Sequence, residues 1–369
     1  FFNAYNTAIH LSTIVSIGTA VPAYCHRQTD ILHFMQNVYG LNEAEKRKLR
    51  FMYSQSGIEQ RYSVLSDYSR PANEWKFYAP TENLEPFPTL EQRMAVFNKQ
   101  APLLSIDAIR NCLNGVAQDE DITHLITVSC TGMSAPGLDL QVLELMDASK
   151  NIMRTSVNFM GCYAAIHALK MADAFCKSDK GAKVLIVCTE LCTLHFQREH
   201  TLDNIMSSLL FADGAAAILV TGADNGKGLR IDNFYSEVVP KGKRDMAWEL
   251  SSTGFLMQLS GYVPDLIEED FDTVVKNSLQ KSGWQKSDVT DWCIHPGGKR
   301  ILEAVQQSVG LQKEQLQPSY HVLQQHGNMS SATVLFVLKE LLYLKGKRAV
   351  FGAAFGPGLT IETFTASNS

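Results

Sequence analysis

Three polar side chains stand where glycine turns and apolar surroundings would hold them at the ends of buried elements: Cys162, His295 and Asn328. Cys162 follows Gly161, between an apolar alternation (Ser156 to Met160) and a run from Tyr163 to Phe175 that is apolar on nearly every side. The first reads as a buried strand and the second as a helix inside a domain. A cysteine at that junction faces the unpaired N–H groups and positive dipole end of a helix, which favour the thiolate a nucleophile requires. His295 ends an apolar strand before Pro296-Gly297-Gly298, so its ring belongs at a strand end beside a tight loop. Asn328 lies in His326-Gly327-Asn328-Met329-Ser330-Ser331-Ala332, where glycine permits a sharp turn before the apolar helix Val334 to Leu344. A glycine-rich loop, Phe355-Gly356-Pro357-Gly358, follows near the C-terminus. Taken singly, each feature also has a structural explanation. Cysteine is a common core residue, a histidine can be a satisfied core group, an asparagine can cap a helix, and the last loop can be a hairpin bend.

The elements that position these residues follow a repeating order. A strand runs from Leu11 to Ala20, helices from Asp30 to Leu41 and Asn42 to Met52, a long polar loop from Tyr68 to Pro88, and a helix from Thr89 to about Val116. The second helix carries Lys46, Arg47, Lys48 and Arg50, which read as a solvated face. Asp121-Ile122-Thr123 then leads into an apolar strand ending in Cys130-Thr131-Gly132. Nearly half the chain later, Asp288-Val289-Thr290 leads into Trp292-Cys293-Ile294-His295. The preceding helices echo one another as well, Ile109-Arg110-Asn111-Cys112-Leu113 against Val275-Lys276-Asn277-Ser278-Leu279. This is the trace of an internal duplication. It divides the chain into 1–222, carrying the cysteine, and 223–369, carrying the histidine and asparagine. The boundary falls in the polar stretch Gly222 to Gly228. Strands at Phe211 to Val220 and at Ala349 to Gly352 with Thr360 to Phe364 would close the halves. Helices alternating with short buried strands predict layered α/β sheets.

Composition excludes several classes. Hydrophobic residues make up 45% and charged residues 19%, as in an ordinary globular protein, and the net charge of −5 gives no sign of a nucleic-acid partner. The eight cysteines lack metal-finger spacing, and several sit in apolar runs, which suits a reducing cytoplasm. Apolar runs are short and broken by charge, so neither a signal peptide nor a membrane span is expected.

Together, Gly161-Cys162, His295-Pro296-Gly297-Gly298, Gly327-Asn328-Met329-Ser330-Ser331 and Phe355-Gly356-Pro357-Gly358-Leu359-Thr360-Ile361-Glu362-Thr363 resemble the signatures of type III polyketide synthases, the chalcone synthase-like family. The resemblance runs from about residue 11 to 365. It implies the thiolase fold, two duplicated α/β halves in a five-layered αβαβα core, and a homodimer. It also implies an acyltransferase that takes acyl-CoA and malonyl-CoA as substrates and needs no metal or redox cofactor. Carried onto matching positions, it makes Cys162 the nucleophile and His295 and Asn328 its catalytic partners. An ion pair with His295 would lower the cysteine pKa, and His295 and Asn328 would form the oxyanion hole for a malonyl-derived enolate. Phe211 matches a gatekeeper phenylalanine. The region of Lys48 and Arg50 matches the CoA-phosphate site, with Gln55 where plant enzymes have a lysine, and Gly297 and Gly298 fall on the CoA side. Ser330 matches a residue of the reaction cavity.

Departures bear on the product. Met257 replaces a second gatekeeper phenylalanine, Cys130, Cys192 and His195 occupy cavity positions that are usually threonine, Ala135 replaces a methionine that reaches the partner's cavity, and Ala354 replaces a glycine. These changes are similar to bacterial members, in some of which the Cys130 position is a second reactive thiol; the other reading of Cys130 is an inert cavity liner. Two alternatives remain: a ketoacyl synthase III-type enzyme fed by an acyl-carrier protein, whose histidine segment normally reads His-Gln-Ala-Asn, and a catalytically silent acyl-CoA-binding homologue.

Overall fold

The computed structural model describes residues 12–81, 83–223, 228–242 and 246–368. Leu11, expected to open the first strand, and 224–227 of the expected boundary stretch lie outside them. In chain order the elements are β1 (Thr13–Ala20), β2 (Tyr24–Arg27), α1 (Gln28–Val38), α2 (Glu43–Gln55), β3 (Gln60–Ser63), α3 (Leu90–Leu113), β4 (His124–Ser129), α4 (Leu138–Leu145), β5 (Met153–Asn158), α5 (Ala164–Ser178), β6 (Lys183–Leu191), α6 (Leu202–Leu210) and β7 (Asp213–Thr221). The remainder are β8 (Leu229–Val238), β9 (Met246–Ser251), β10 (Gly254–Leu259), α7 (Val263–Ser282), β11 (Asp291–Ile294), α8 (Lys299–Val309), α9 (Gln317–His326), α10 (Thr333–Leu342), β12 (Ala349–Gly356) and β13 (Thr360–Ser367). Local chemistry sets several boundaries. Asn42 and Thr89 cap α2 and α3, each closed by a side chain three residues on, Glu45 and Gln92.

The large sheet has nine strands in the order β11-β12-β13-β8-β1-β7-β6-β4-β5. Its midpoint is a short contact in which only Thr13 and Ile14 of β1 pair with Arg230 and Leu229 of β8. Outward from there the two arms match: β1-β7-β6-β4 on one side and β8-β13-β12-β11 on the other, each with two antiparallel pairings followed by a parallel one. The echo in the sequence is an echo in backbone chemistry. Asp121 and Asp288 each accept from the backbone N–H three residues earlier, of Gln118 at 2.9 Å and of Gln285 at 2.7 Å. Thr123 and Thr290 each accept a backbone N–H at their hydroxyl, from Lys183 and Ala349, both at 2.9 Å.

Alternation along the strands sends side chains into two apolar clusters. On β6, Leu185, Val187 and Leu191 face the layer of α3, whereas Val184, Ile186 and Cys188 face inward. On β12, Phe351, Ala353 and Phe355 meet Phe271 of α7, and Val350 and Ala354 point to the other cluster. Helices α5 and α10 lie between the arms, α5 touching β4, β6 and β7 as well as β13, and α10 touching β1 and β7 as well as β11. That gives five layers, αβαβα. It also explains why the run after Cys162 is apolar on nearly every side, since a helix with a sheet above and below has little solvent face.

One expected element differs. The strand before Cys162 is Met153–Asn158, at the end of the sheet, and only Val157 in it is buried. It pairs with β4 alone, so its outer edge and most of its side chains lie open.

Candidate active site

Each of the three polar residues is delivered by the end of a regular element. Cys162 lies between β5 and α5, two residues before the first helical residue. Gly161 makes the turn at φ +83°, and a Cβ there would lie 2.1 Å from Cδ of Pro357, so the Gly356-Pro357 loop closes directly over the cysteine turn. His295 follows β11, its N–H donating to the Ala353 carbonyl at 2.8 Å. Asn328 follows α9 through Gly327, at φ +68°, where a Cβ would meet Cδ of Arg61 at 2.7 Å. The Asn328 strandlet then bridges to Phe211: the Asn328 N–H donates to the Leu210 carbonyl and the Ala212 N–H donates to the Asn328 carbonyl, both at 2.9 Å.

These ends converge on one cavity of about 410 Å³, within the usual range for small-molecule sites. Cys162, His295, Asn328, Ser330, Phe211, Met257, Cys130, Cys192, Gly297 and Gly298 all line it. The Cys162 thiol donates to the Ser330 hydroxyl at 3.6 Å. Ser330 reaches it from a left-handed conformation, φ +48°, the kind of backbone strain that clusters at functional sites. The strain is braced by Asn328, whose Oδ1 accepts from the Ser330 N–H at 2.9 Å and from the Thr333 hydroxyl at 3.4 Å. Asn328 is thus a turn-former, close to the capping role considered from sequence. Its Nδ2 is left for other work and donates to the Gly297 carbonyl at 3.1 Å. His295 is buried, yet among the described residues neither ring nitrogen has a hydrogen-bond partner. Burial without a partner is costly, and both nitrogens belong to a ring on the cavity wall.

Burial pushes the Cys162 thiol up to about 12; hydrogen bonding with Ser330, Asn328 and its own backbone pulls the other way without overcoming it. Burial likewise pushes His295 down to about 3. The expected lowering of the cysteine pKa by the helix end is therefore outweighed by desolvation, which favours a neutral thiol and a neutral imidazole. An ion pair here has to be made by one proton transfer, sulfur to imidazole, so that the two charges appear together.

The remaining candidates divide. Cys130 accepts from the Gly161 N–H at 2.9 Å, and burial raises its thiol well above the ordinary range. His195 does not line the main cavity. Its Nε2 donates to the Thr131 carbonyl at 2.7 Å, its Nδ1 accepts from the Phe255 N–H at 3.1 Å, and its ring stacks on Phe255 with centroids 4.2 Å apart. It faces a pocket of about 40 Å³ behind the cavity, which shares Cys192, Phe211, Trp248 and Met257 with it. Lys48 and Arg50 are exposed on α2 and are not on the cavity wall, although the same helix sends Phe51, Met52 and Gln55 there.

Other wall residues gave little signal in the sequence. Lys299 and Arg300, at the start of α8, bring positive charge to the cavity, and Trp248 of β9 lines it while donating from Nε1 to the Cys130 carbonyl at 2.7 Å. Glu190 did leave a signal, the one carboxylate in the strand Lys183–Leu191, which is apolar from Val184 to Cys188. It is buried and accepts from the Cys130 N–H at 2.9 Å, the Thr131 hydroxyl at 2.8 Å and the Ser331 hydroxyl at 2.5 Å, which ties the loops on either side of Cys162 together. Among the described residues no group of three His, Cys, Asp or Glu side chains is placed to hold a metal ion.

Residues 3–225 match the family model of the chalcone and stilbene synthase N-terminal domain, and residues 231–368 match that of the C-terminal domain. The chain therefore belongs to the chalcone and stilbene synthase family, the type III polyketide synthases. It is 30% identical over 366 residues to "Probable polyketide synthase 1" of Dictyostelium discoideum; the match takes in 95% of this chain but only 11% of that much longer protein. Among solved structures it is similar to PKS-I from the brown alga Ectocarpus siliculosus, with a TM-score of 0.90 and 28% identity over 97% of this chain and 98% of that one. It is similar also to the C-terminal type III polyketide synthase domain of Steely1, a type I/III hybrid from Dictyostelium, with a TM-score of 0.89 and 28% identity over 97% and 99%.

Proposed function

We propose that the protein loads an acyl group from a CoA thioester onto Cys162 and extends it with malonyl-CoA by repeated decarboxylative Claisen condensation. The observation that carries the reading is the meeting of a thiol, a histidine with two unpaired ring nitrogens and an asparagine amide on one cavity wall. In loading, the Cys162 proton passes to His295 and the thiolate attacks the starter carbonyl. CoA leaves as its thiolate and takes the proton back from His295. Malonyl-CoA then loses carbon dioxide, leaving an enolate whose oxygen accepts from His295 and from Nδ2 of Asn328. The enolate carbon forms a bond to the acyl carbon, the carbon–sulfur bond to Cys162 breaks, and the lengthened chain returns to the thiol for another round. The last step is a cyclisation, of pyrone, resorcinol, phloroglucinol or chalcone type.

Phe211, Met257, Cys130, Cys192, Ser330 and, behind the wall, His195 would bound the growing chain. Gly297 and Gly298 would receive the CoA thiol arm, with Lys299 and Arg300 and, further out, Lys48 and Arg50 for its phosphates. The two duplicated halves, 1–222 and 223–369, would divide the labour, one holding the acyl group and the other the enolate. A homodimer is supported by the open edge of β5, where Met153 is 59% exposed, because an unpaired edge strand is the usual place for a second sheet to continue. Among the described residues no helix is long and apolar enough to cross a membrane. A cytoplasmic setting is supported by eight unpaired cysteines.

The test is product mass after incubation with malonyl-CoA and a panel of acyl-CoA starters. Products heavier than a starter by whole ketide units are expected. Extension only from a malonyl carrier protein would transfer the chain to the ketoacyl synthase reading, and silence in both would leave an acyl-CoA-binding homologue.

A further inference from the structure

Helix α6 ends against the site, and its end is held in an unusual way. The last carbonyls of a helix have no intrahelical partner. Here these are the carbonyls of Ser208, Leu209, Leu210 and Phe211, and each receives a donor from elsewhere in the chain. Arg61, on β3, donates from one terminal nitrogen to the Ser208 carbonyl at 2.8 Å and from the other to the Phe211 carbonyl at 2.5 Å. Gln28 donates to the Leu209 carbonyl at 2.9 Å, and its own Oε1 accepts from Nε of Arg61 at 2.9 Å. The Leu210 carbonyl takes the Asn328 N–H. The stem of Arg61 also supports Gly327, where a Cβ would fall 2.7 Å from Cδ and 2.8 Å from Cγ of the arginine.

Arg61 is buried, and among the described residues it has no salt bridge with a carboxylate. Its charge faces the negative end of α6, and the Tyr53 side chain and the buried carboxylate of Asp213 lie close enough to act on it as well. Burying a guanidinium without a carboxylate in direct contact is costly. The two segments it fixes are the one carrying Phe211 and the one carrying Asn328.

We propose that Arg61, oriented by Gln28, is a positioning residue that clamps the Phe211 and Asn328 segments in register and so sets the asparagine amide against the cavity. Arg61 touches neither a reacting atom nor the cavity that holds Cys162. Its importance to turnover rests on the condensing role given above to Asn328; the clamp itself does not.

The experiment compares Arg61→Lys and Arg61→Ala with the unaltered protein in three measurements. Hydrogen exchange is expected to quicken about tenfold or more at 210–212 and 327–330, while β6 keeps its protection, because the bridge loses its clamp but the fold does not. Starter loading on Cys162, read by intact mass, is expected to stay within about threefold, while malonyl decarboxylation falls about tenfold to a hundredfold, the cost of displacing a catalytic group by roughly 1 Å. Guanidinium at low millimolar concentration restores part of the decarboxylation in Arg61→Ala and none in Arg61→Lys. Unchanged exchange at 210–212 and 327–330 overturns the clamp, as does a loss spread evenly over the whole chain. If the unaltered protein decarboxylates no malonyl-CoA while the exchange pattern appears as described, the clamp stands and the condensing reading is what fails.

Discussion

Replacing Asn328 with aspartate separates the turn-bracing seen at one end of its side chain from the enolate-binding role proposed for the other. Its Oδ1 accepts from the Ser330 N–H at 2.9 Å and the Thr333 hydroxyl at 3.4 Å. Aspartate keeps an oxygen there, so the strained turn that carries Ser330 to Cys162 should survive. Its Nδ2 is the donor assigned to the enolate oxygen, and aspartate has no hydrogen to offer when ionised. Removing one donor from a preorganised oxyanion site costs about 10²–10³ in rate. On the mechanism proposed above, starter loading uses the thiol and the imidazole but not this amide. Asn328→Asp should therefore reduce malonyl-CoA decarboxylation by at least about a hundredfold, while acyl transfer to Cys162 changes by no more than about threefold. Asn328→Ala should lose the same donor and also free Ser330, so it should be the less stable of the two by about 1–2 kcal/mol. Decarboxylation would be followed by release of carbon dioxide from labelled malonyl-CoA, loading by intact protein mass, and stability by urea unfolding. Equal losses in decarboxylation and loading, or an aspartate variant that decarboxylates normally, would refute the assignment of the amide to the enolate.

Other consequences can be checked alongside. Cys162→Ala should form no acyl adduct with any starter, and a covalent adduct with normal product from that variant would move the nucleophile elsewhere. Trp248→Ala removes a ring from the cavity wall together with its hydrogen bond to the Cys130 carbonyl; it should shift products to higher mass by whole ketide units and cost about 2–4 kcal/mol of stability, and an unchanged product mass would show that Trp248 does not limit chain length. His195 and His295 are held down to about 3 and His326 to about 4 by burial. The unfolded chain binds these protons near pH 6.5 and the folded one does not, so their contribution is full above pH 6.5 and is lost as the pH falls toward 3 to 4. Each adds a slope of about 1.4 kcal/mol per pH unit inside that window. Asp213, pushed up to about 6 by burial, opposes them in part, since it takes up a proton in the folded state first. Urea unfolding at pH 7, 6 and 5 should show stability falling with acid, and His195→Gln should flatten the fall by about one proton.

Features that obey local rules could be read from the sequence. Glycine needs a reason in a buried strand–helix junction, and Gly161 and Gly327 mark two of the three turns that build the site. The apolar run of α5 announced a helix inside the domain, which the fold places between two sheets, and the Asp-(Ile/Val)-Thr turns announced the duplication because both copies use the same side-chain bonds. What stayed hidden depends on long-range geometry. The strand before Cys162 has the alternation of a buried element, but it pairs on one side only and lies open. Among the described residues the cations that line the cavity are Lys299 and Arg300, which carry no more pattern than the run on α2. The thiolate expected from the helix end is a local argument, and it loses to the desolvation of a cavity that only the assembled halves enclose.

Arg61 shows the same limit from the other side. In sequence it is one cation in a short polar strand, and nothing within ten residues says that it will be buried. Its meaning comes from three segments meeting: β3, the end of α6 and the turn at Gly327. Groups proposed to touch substrate are legible in the spacing of the chain, because chemistry constrains their residue types. The groups that hold them there are not, because many side chains could have held them, and only the fold records which one does.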